Sequence, residues 1–397
     1  MRICYYFRKL NDGLGPGVHA RSLVSAWIDS GHSVLCVPHA MSCSPPGGTM
    51  TVRRLLSRGL PPSARHRLRQ SQAECRSWYE TERVVRRIMD FRPDILFARW
   101  SQFDHTLDKV LYTVTCPVIA EVNAVIHDEI WRMQGIRLPA SQARRELAYL
   151  RRADFLVCVS QEVQDRLAGL GIPRVRSAVV PNGVDTELFT PQVAPHEAVR
   201  VWADGKLLLA YCGVPALVHD PRTLLRATER IADSFADARF LFVGPLEAEV
   251  APLLSARPDL IGRTHVTGAV PHEMVPALLA PATILWAAYA NTYGSPLKQL
   301  EYMAMGKPVV VAGTGQAADL VAAPACGRAV PLGDDEGLAG AARDILLLAP
   351  DERAVLGGRG RTWVEQNATW SATAESILAH VRNSAAVFSQ QSASPPH

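Results

Sequence analysis

A lysine and a glutamate, Lys298 and Glu301, lie one helical turn apart in a stretch that predicts a short helix followed by a buried strand, residues 295–311. A cation in the first turn opposes the helix dipole, and an anion bound at that end would resolve the conflict. Free backbone amides together with a lysine make a seat for a phosphate group, and Glu301 is then placed to accept from sugar hydroxyls. The alternative is an exposed pair that contributes a few tenths of a kcal/mol and binds nothing.

The residues that flank this predicted helix favour its formation. Ser295 is expected to cap the first amides with its hydroxyl, and Pro296 fits the first helical position, where a missing N–H has no cost. Leu297 begins the face that packs against the protein. Gly306 suits the left-handed residue just past the helix end, and Pro308 prevents the helix from continuing. The lysine end of the helix is therefore predicted from local signals.

Length and composition bound the class of protein. The chain has 397 residues, too many for one ordinary core, so two domains of about 150–200 residues are expected. The net charge is only +4, which does not indicate a nucleic-acid partner. The 8 cysteines include no CxxC pair, which predicts neither a zinc site nor a disulfide framework and favours a reducing, cytoplasmic location. No stretch predicts a signal peptide or a membrane span.

A glycine-rich loop follows the first predicted strand and leads into a helix, as at the start of a doubly wound α/β domain. Gly13, Gly15 and Gly17 form a GxGxG pattern, whereas a nicotinamide site would use GxGxxG and an acidic residue about 20 positions on. The second strand ends at His39 without a carboxylate, so a dinucleotide dehydrogenase is disfavoured. Gly15 and Gly17 are expected to let the backbone approach a phosphate or sugar.

Polar residues follow two further predicted strands, at the edge where an open α/β sheet binds ligands. Arg99 follows one of these strands, and Glu121 and Asn123 follow the other. Asp128 and Glu129 come shortly afterwards. Glu121 and these two carboxylates are predicted to line an acidic pocket. The alternative is that Asp128 and Glu129 only begin a helix, where carboxylates are favoured.

A long predicted helix, residues 64–91, is rich in arginine. The arginines outnumber the acidic residues and lie at Arg65, Arg67, Arg69, Arg76, Arg83, Arg86 and Arg87. Such a face is expected to be solvated, and contact with an anionic membrane surface is the alternative. Leu68 and Trp78 are the strong apolar anchors that its first half offers a membrane.

A second alternation of strands and helices starts near residue 207. Gly213 and Gly244 follow its first two strands, and Val270 follows a third, shorter one. No DxD pair is present to hold a metal–diphosphate complex, so charge neutralisation is expected to come from helix amides and cations.

The order of elements predicts two α/β domains in tandem, at residues 1–190 and 200–369, with a linker at 191–195. Their ligand-binding ends are expected to face a shared cleft. A last amphipathic helix is predicted at 370–388, followed by a disordered tail at 389–397.

Four stretches of the chain resemble family 4 of the retaining glycosyltransferases. The most specific are the Pro-Asn-Gly-Val-Asp turn at 181–185 and the Glu-Tyr-Met-Ala-x-Gly-Lys-Pro-Val-Val run at 301–310. The other two are residues 13–22 and the Val243-Gly244 pair with residues 266–270. The resemblance implies the GT-B fold, with two Rossmann-like domains facing a central cleft, and a last helix that packs back onto the first domain.

The same resemblance implies a nucleotide-sugar donor, UDP-linked by expectation, held mainly by the second domain. Glu301 matches the second glutamate of the family's Glu-x7-Glu motif, which contacts the ribose, while Tyr293 stands where the first glutamate is expected. Lys298 matches a Ser-Pro-x-Lys variant and is the candidate for the diphosphate. Val214 and His219 mark the region where many members carry an arginine and a lysine.

The predicted site residues fall into three groups. The donor-binding candidates are Gly15, Gly17, Gly213, Arg222, Gly244, Val270, Ser295, Pro296, Leu297, Lys298 and Glu301. The acceptor-binding candidates are Arg99, Glu121, Asn123, Asp128 and Glu129. Lys298, Glu301 and Asn123 are the candidates for catalysis, and Arg222 is a substitute for the absent family cations. No metal ligand is predicted.

The implied chemistry is front-face transfer of a hexose or aminohexose with retained configuration. The leaving diphosphate accepts the acceptor's proton, so neither a protein base, a metal nor another cofactor is required. The acidic cluster favours a small, polar, cationic acceptor, as in the assembly of aminoglycoside antibiotics. The alternatives are a transferase of cell-surface polysaccharide or glycolipid, with peripheral membrane contact, and a sugar-nucleotide-binding protein without catalysis. The sequence leaves the oligomeric state open.

Overall fold

The computed structural model describes residues 1–11, 15–38, 62–101, 104–216 and 218–392, apart from some side chains within 62–77, at 134 and within 384–392. The described chain forms two compact units. One comprises Met1–Val180 together with the segment that begins at Thr373, and the other is Pro181–Ala372. The division falls after Val180, earlier than the linker predicted at 191–195.

The first unit is built on a parallel sheet of six strands in the order β2-β1-β3-β4-β5-β6. The strands are β1 (Arg2–Tyr6), β2 (Ser33–Val37), β3 (Ile95–Arg99), β4 (Val118–Val122), β5 (Phe155–Cys158) and β6 (Ser177–Val179). The helices are α1 (Gly15–Asp29), α2 (Pro62–Phe91), α3 (His105–Thr113), α4 (Ile126–Gln134), α5 (Ala140–Arg152) and α6 (Gln161–Gly169). The central strands are continuous runs of apolar residues, as expected for a parallel sheet covered on both faces.

The second unit repeats this architecture with the strand order β12-β11-β10-β7-β8-β9, all pairs being parallel. The strands are β7 (Leu208–Cys212), β8 (Arg239–Val243), β9 (Thr264–Val266), β10 (Ile284–Ala288), β11 (Val309–Ala312) and β12 (Gly327–Val330). The helices are α7 (Glu197–Ala203), α8 (Pro221–Ser234), α9 (Glu247–Ala256), α10 (Val275–Leu279), α11 (Leu297–Ala304), α12 (Gln316–Ala322), α13 (Asp335–Leu346) and α14 (Pro350–Asn367).

The last helix, α15 (Trp370–Ser392), passes onto the first unit. Its Ala374 carbonyl accepts a hydrogen bond from the buried Trp27 indole at 3.3 Å, and His380 stacks on Phe155 at 6.4 Å between ring centroids. The predicted tail begins inside this helix, and residues 393–397 lie outside the described residues. None of the described helices is long and apolar enough to cross a membrane.

The Pro-Asn-Gly-Val-Asp turn belongs to the second unit because it packs closely on residues 368–370. An added Cβ at Gly183 would lie 2.7 Å from the Trp370 nitrogen, so only glycine fits there. The next residue, Val184, donates its N–H to the Ala368 carbonyl at 2.8 Å. The turn therefore joins the start of the second unit to its end.

The arginine-rich helix forms over Pro62–Phe91, close to the predicted 64–91. Trp78 and Tyr79 project from it with 74% and 90% of their surface exposed, while Val84 and Ile88 are buried. The helix is therefore amphipathic in its described half, with aromatic residues on the solvent side. The position of the Leu68 side chain lies outside the description.

Candidate functional site

Three glycines bring the loops after β7, β8 and β9 close together at the carboxyl edge of the second sheet. Gly213 donates its N–H to Val243 O at 2.9 Å. Gly244 has φ +132, and a Cβ there would lie 1.9 Å from Gly213 O. Gly244 also donates to Thr267 Oγ1 at 3.1 Å and pairs with Gly268. The loops are thus packed backbone against backbone at this edge, where the close approach of Gly213 requires a glycine at position 244.

The helix α11 begins at this edge without a side-chain cap from the described residues. The prediction that Ser295 caps it is wrong, because Ser295 Oγ accepts from the Asn182 N–H at 3.0 Å and Ser295 O accepts from Asn182 Nδ2 at 2.8 Å. The helix starts at Leu297, with Pro296 one residue outside it. Its first amides therefore remain available, as an anion site requires. The predicted left-handed end is confirmed at Gly306, with φ +63.

Lys298 projects from the first turn of α11 onto Tyr211. Its Nζ donates to the Tyr211 hydroxyl at 3.0 Å and lies 4.4 Å from the centre of that ring. Among the described residues, no carboxylate lies within 4.0 Å of this ammonium. Burial lowers the pKa of Lys298 to about 8. A Cβ added at Gly213 would lie 2.6 Å from Nζ, so the glycine makes room for the lysine. Among the described residues, the Lys298 ammonium therefore has no carboxylate as a direct ion-pair partner, although the charge of Glu301 one turn away partly offsets the effect of burial on its pKa.

The loop after β7 carries no second cation beside Lys298. His219 donates from Nδ1 to Val214 O at 2.9 Å, and burial together with the Lys298 charge lowers its pKa to about 3. Its imidazole is therefore neutral at physiological pH. Asp220 caps α8 by accepting from the Thr223 N–H at 3.1 Å. Arg222 is exposed on the same helix and forms no ion pair with the described residues.

Glu301 is held by a histidine that sequence reasoning missed. His272 Nε2 donates to Glu301 Oε1 at 2.7 Å, and its ring packs against Phe189 with 5.2 Å between centroids. His272 begins a short turn two residues after Val270. Val270 itself is half-buried against the core of the unit. Tyr293, at the place of the first family glutamate, is half-buried. One carboxylate oxygen of Glu301 is therefore fixed by the protein.

In the first unit, the predicted ligand residue Glu121 is buried and held by three side chains. It accepts from His19 Nε2 at 2.7 Å, from Tyr5 Oη at 2.7 Å and from Arg99 at 3.3 Å. Burial raises the pKa of Glu121, but the charges of His19 and Arg99 outweigh it and lower the pKa to about 2. The guanidinium also lies over the Phe7 ring at 4.8 Å. Glu121 therefore acts as the anchor of a histidine and an arginine.

His19 was also missed by sequence reasoning, although it follows the glycine-rich loop by two residues. It lies on α1, which begins at the exposed Gly15 and buries Gly17. The role of this histidine becomes clear only from the fold, which brings Glu121 to within 2.7 Å of His19 Nε2. Asn123 is half-buried, and its Oδ1 is buried without a hydrogen-bond partner among the described residues. An acceptor hydroxyl or amide would satisfy that oxygen.

The remaining predicted acceptor residues lie on α4. Asp128 forms ion pairs with Arg132, at 3.1 Å, and with Arg166. Glu129 is half-buried in the same first turn. The start of this helix is also held by the buried Glu146, which accepts from the Ile126 N–H at 2.6 Å. Both ion-pair partners of Asp128 among the described residues are arginines, so its negative charge is already balanced.

No group of three or more His, Cys, Asp and Glu side chains in the described parts of the chain could hold a metal ion. The prediction of metal-independent chemistry stays a prediction.

The protein has two parallel six-stranded sheets, each covered by helices, and one last helix that returns to the first unit. This arrangement defines the GT-B fold. The solved structure of Anabaena HepE in complex with UDP-glucose shares this fold, with a TM-score of 0.72 and 14% identity over 96% of this chain and 100% of that one. Two family profiles match the sequence, Glycosyltransferase Family 4 over residues 14–188 and Glycosyl transferases group 1 over 207–347. The chain is therefore similar to the glycosyltransferases of these two profiles, each of which matches less than half of its length.

The chain is also similar to two curated glycosyltransferases. A D-inositol 3-phosphate glycosyltransferase of Saccharomonospora viridis is 30% identical over 266 residues, which are 63% of this chain and 60% of that protein. A GDP-mannose-dependent alpha-(1-6)-phosphatidylinositol monomannoside mannosyltransferase of Mycolicibacterium smegmatis is 29% identical over 233 residues, 55% of this chain and 59% of that protein. The chain thus spans about three fifths of the length of these relatives.

Proposed function

We propose that this protein is a retaining glycosyltransferase that transfers a hexose from a UDP-sugar to a hydroxyl group and forms an α-glycoside. The observation that carries the proposal is the ammonium of Lys298, which is half-buried beside Gly213 and forms no direct ion pair with a carboxylate among the described residues. A desolvated cation at the start of an uncapped helix favours an anionic ligand such as a diphosphate. The similarity to Glycosyltransferase Family 4 over residues 14–188 and the UDP-glucose complex of HepE favour a nucleotide sugar as that ligand.

Each donor group has a place in this scheme. The ammonium of Lys298 and the first amides of α11 bind the diphosphate. Glu301 accepts from the ribose with the carboxylate oxygen that His272 leaves available. Gly213 leaves the space that the Lys298 ammonium occupies, and Gly244 allows its loop to pack against Gly213. Neutral His219 adds no charge, so in this scheme Lys298 supplies the cationic contribution.

The transfer step needs charge stabilisation and positioning. The bond between the anomeric carbon and the diphosphate oxygen breaks, and a bond from that carbon to the acceptor oxygen forms on the same face. The acceptor's proton goes to the leaving diphosphate. Lys298 stabilises the charge that develops on that leaving group, and Asn123 is the candidate for orienting the sugar or acceptor hydroxyl.

For the acceptor, we favour a glycolipid, an inositol phosphate or a surface polysaccharide over an aminocyclitol. The aminocyclitol hypothesis depends on a free acidic cluster, but Glu121 is held by His19 and Arg99, and Asp128 is paired with two arginines. The two relatives are named for an inositol phosphate and a phosphatidylinositol mannoside. The exposed Trp78 and Tyr79 on the arginine-rich helix suit an acceptor at a lipid surface.

The test is a donor and acceptor screen on matched variants. UDP-glucose, UDP-N-acetylglucosamine and GDP-mannose are each offered with inositol phosphate, phosphatidylinositol vesicles and an aminocyclitol, with and without EDTA. We expect UDP release from wild type and a loss of at least 100-fold in Lys298→Met. Lys307→Met is the control, because Lys307 is also half-buried with a pKa lowered by burial.

Three results would count against this scheme. Normal turnover in Lys298→Met would remove the phosphate role of the lysine. Binding of UDP-sugars without hydrolysis or transfer would favour the non-catalytic alternative. Complete loss of activity in EDTA would overturn the metal-independent mechanism.

A further inference from the structure

Among the described residues, the Lys298 ammonium has one polar contact, and that contact comes from the core of the sheet. Tyr211 belongs to β7 and is only 4% exposed. Its hydroxyl accepts from Nζ at 3.0 Å, and its ring lies 4.4 Å below the same atom. A long flexible lysine is thereby fixed at two points of a rigid aromatic group.

We propose that Tyr211 is a positioning residue of the donor site, which holds the Lys298 ammonium in the place and protonation state that the diphosphate requires. The inference rests on the proposed function and extends it to a side chain below the site. Tyr211 acts through Lys298 and does not itself contact the donor.

Three further observations show that the fold fixes the position of the Tyr211 hydroxyl beside the lysine. A Cβ at Gly213 would lie 2.4 Å from the Tyr211 hydroxyl and 2.6 Å from Nζ, so the absence of a side chain there keeps the pair intact. Tyr211 also packs edge-on against His219, with 6.4 Å between ring centroids. Burial raises the pKa of the Tyr211 phenol, so this group stays neutral and offers its lone pair to the ammonium.

A hydrogen bond from the ammonium to the hydroxyl stabilises the protonated lysine. Removing that acceptor lowers the pKa of Lys298 further below its present value of about 8. For a fall of about one pH unit, the protonated fraction at pH 8 decreases about fivefold. At pH 6 the lysine is protonated in both proteins, so that part of the defect disappears.

The experiment is a thermodynamic cycle on UDP binding, measured by calorimetry at pH 6, 7, 8 and 9. The variants are Tyr211→Phe, Lys298→Met and the double variant. Tyr211→Phe keeps the ring and removes the hydroxyl. Tyr302→Phe is the matched control, because Tyr302 is equally buried and its hydroxyl accepts from the Cys212 N–H at 2.7 Å.

We expect Tyr211→Phe to move the pH midpoint of UDP binding down by about one unit and to weaken binding about fivefold at pH 8. In the Lys298→Met background, the same change should have no further effect, because a residue that acts through another is non-additive with it. Tyr302→Phe should lower the melting temperature and leave the midpoint in place.

Two outcomes overturn the inference and separate it from the proposed function. The first outcome is that Lys298→Met weakens UDP binding while Tyr211→Phe keeps the wild-type pH midpoint or weakens binding by the same factor in both backgrounds. Tyr211 then does not position the lysine, and only this inference fails. If Lys298→Met binds UDP normally, the lysine is not a diphosphate group, and the proposed function fails together with the role of Tyr211.

Discussion

The affinity of the protein for UDP should fall about tenfold between pH 7 and pH 9, because the binding-competent form contains a protonated Lys298. The pKa of Lys298 is about 8. The ammonium fraction therefore falls from about 0.9 at pH 7 to about 0.1 at pH 9, and the apparent dissociation constant rises by the same factor. An ordinary exposed lysine would remain protonated over this range and would give a flat profile.

Isothermal calorimetry with UDP gives two independent readouts of this titration. The first is the dissociation constant at pH 7, 8 and 9. The second is the number of protons taken up, obtained from buffers that differ in ionisation enthalpy. A bound diphosphate raises the pKa of the lysine, so binding should take up a fraction of a proton at pH 8 and almost none at pH 6.

The control is Lys298→Arg, whose guanidinium stays charged throughout and should give a shallow profile even where its affinity is lower. The reasoning is refuted if wild type binds UDP equally well at pH 7 and pH 9. It is also refuted if Lys298→Arg shows the same tenfold loss, because the titrating group would then lie elsewhere.

Three further variants test the two sites through stability and binding. Lys298 is deprotonated more easily in the folded protein than in the unfolded chain, so its charge destabilises the fold below about pH 8, and this penalty is lost between about pH 8 and 10.5. Lys298→Met should therefore raise the free energy of unfolding at pH 7 by up to about 2 kcal/mol, measured in urea. Gly213→Ala should weaken UDP binding at least tenfold in calorimetry, since its Cβ would fall 2.6 Å from Nζ, and normal affinity would show that the gap is not needed. Glu121→Gln should lower the free energy of unfolding by about 3 kcal/mol because it removes the buried carboxylate that pairs with Arg99. Glu365→Gln, in an exposed pair with Arg361, should change it by less than about 1 kcal/mol, and equal effects would contradict the buried-anchor role.

The features that were predicted correctly from sequence depend on local signals. The strand runs are mostly apolar, as in β11, and the left-handed residue at Gly306 is signalled by a glycine before Lys307-Pro308. Lys298 became a candidate because a cation in a first helical turn conflicts with the helix dipole within one short stretch, and its role at the site stays a prediction. Each of these inferences needs only neighbours within a few residues.

The partners of the site residues could not be predicted in this way, since each pair joins distant parts of the chain. Ser295 was expected to cap its own helix, but it binds Asn182, 113 residues away. Lys298 meets Tyr211 across 87 residues, and Glu301 meets His272 across 29. Such pairs depend on the strand order, which decides which loops meet at the carboxyl edge of the sheet. Local sequence patterns do not determine that order.

The charges at the two candidate sites lead to opposite conclusions about their ligands. The buried Glu121 is matched by His19 and Arg99, so a further cation would gain little there, and an acidic pocket is not the feature that selects the acceptor. Lys298 has a neutral phenol as its polar partner, and burial makes its charge unfavourable. Replacing it with an apolar side chain would stabilise the fold, so its presence is explained by a ligand that balances the charge. A diphosphate does so, and the increase in stability on adding UDP should therefore be larger for wild type than for Lys298→Met at pH 7 and should converge at pH 9.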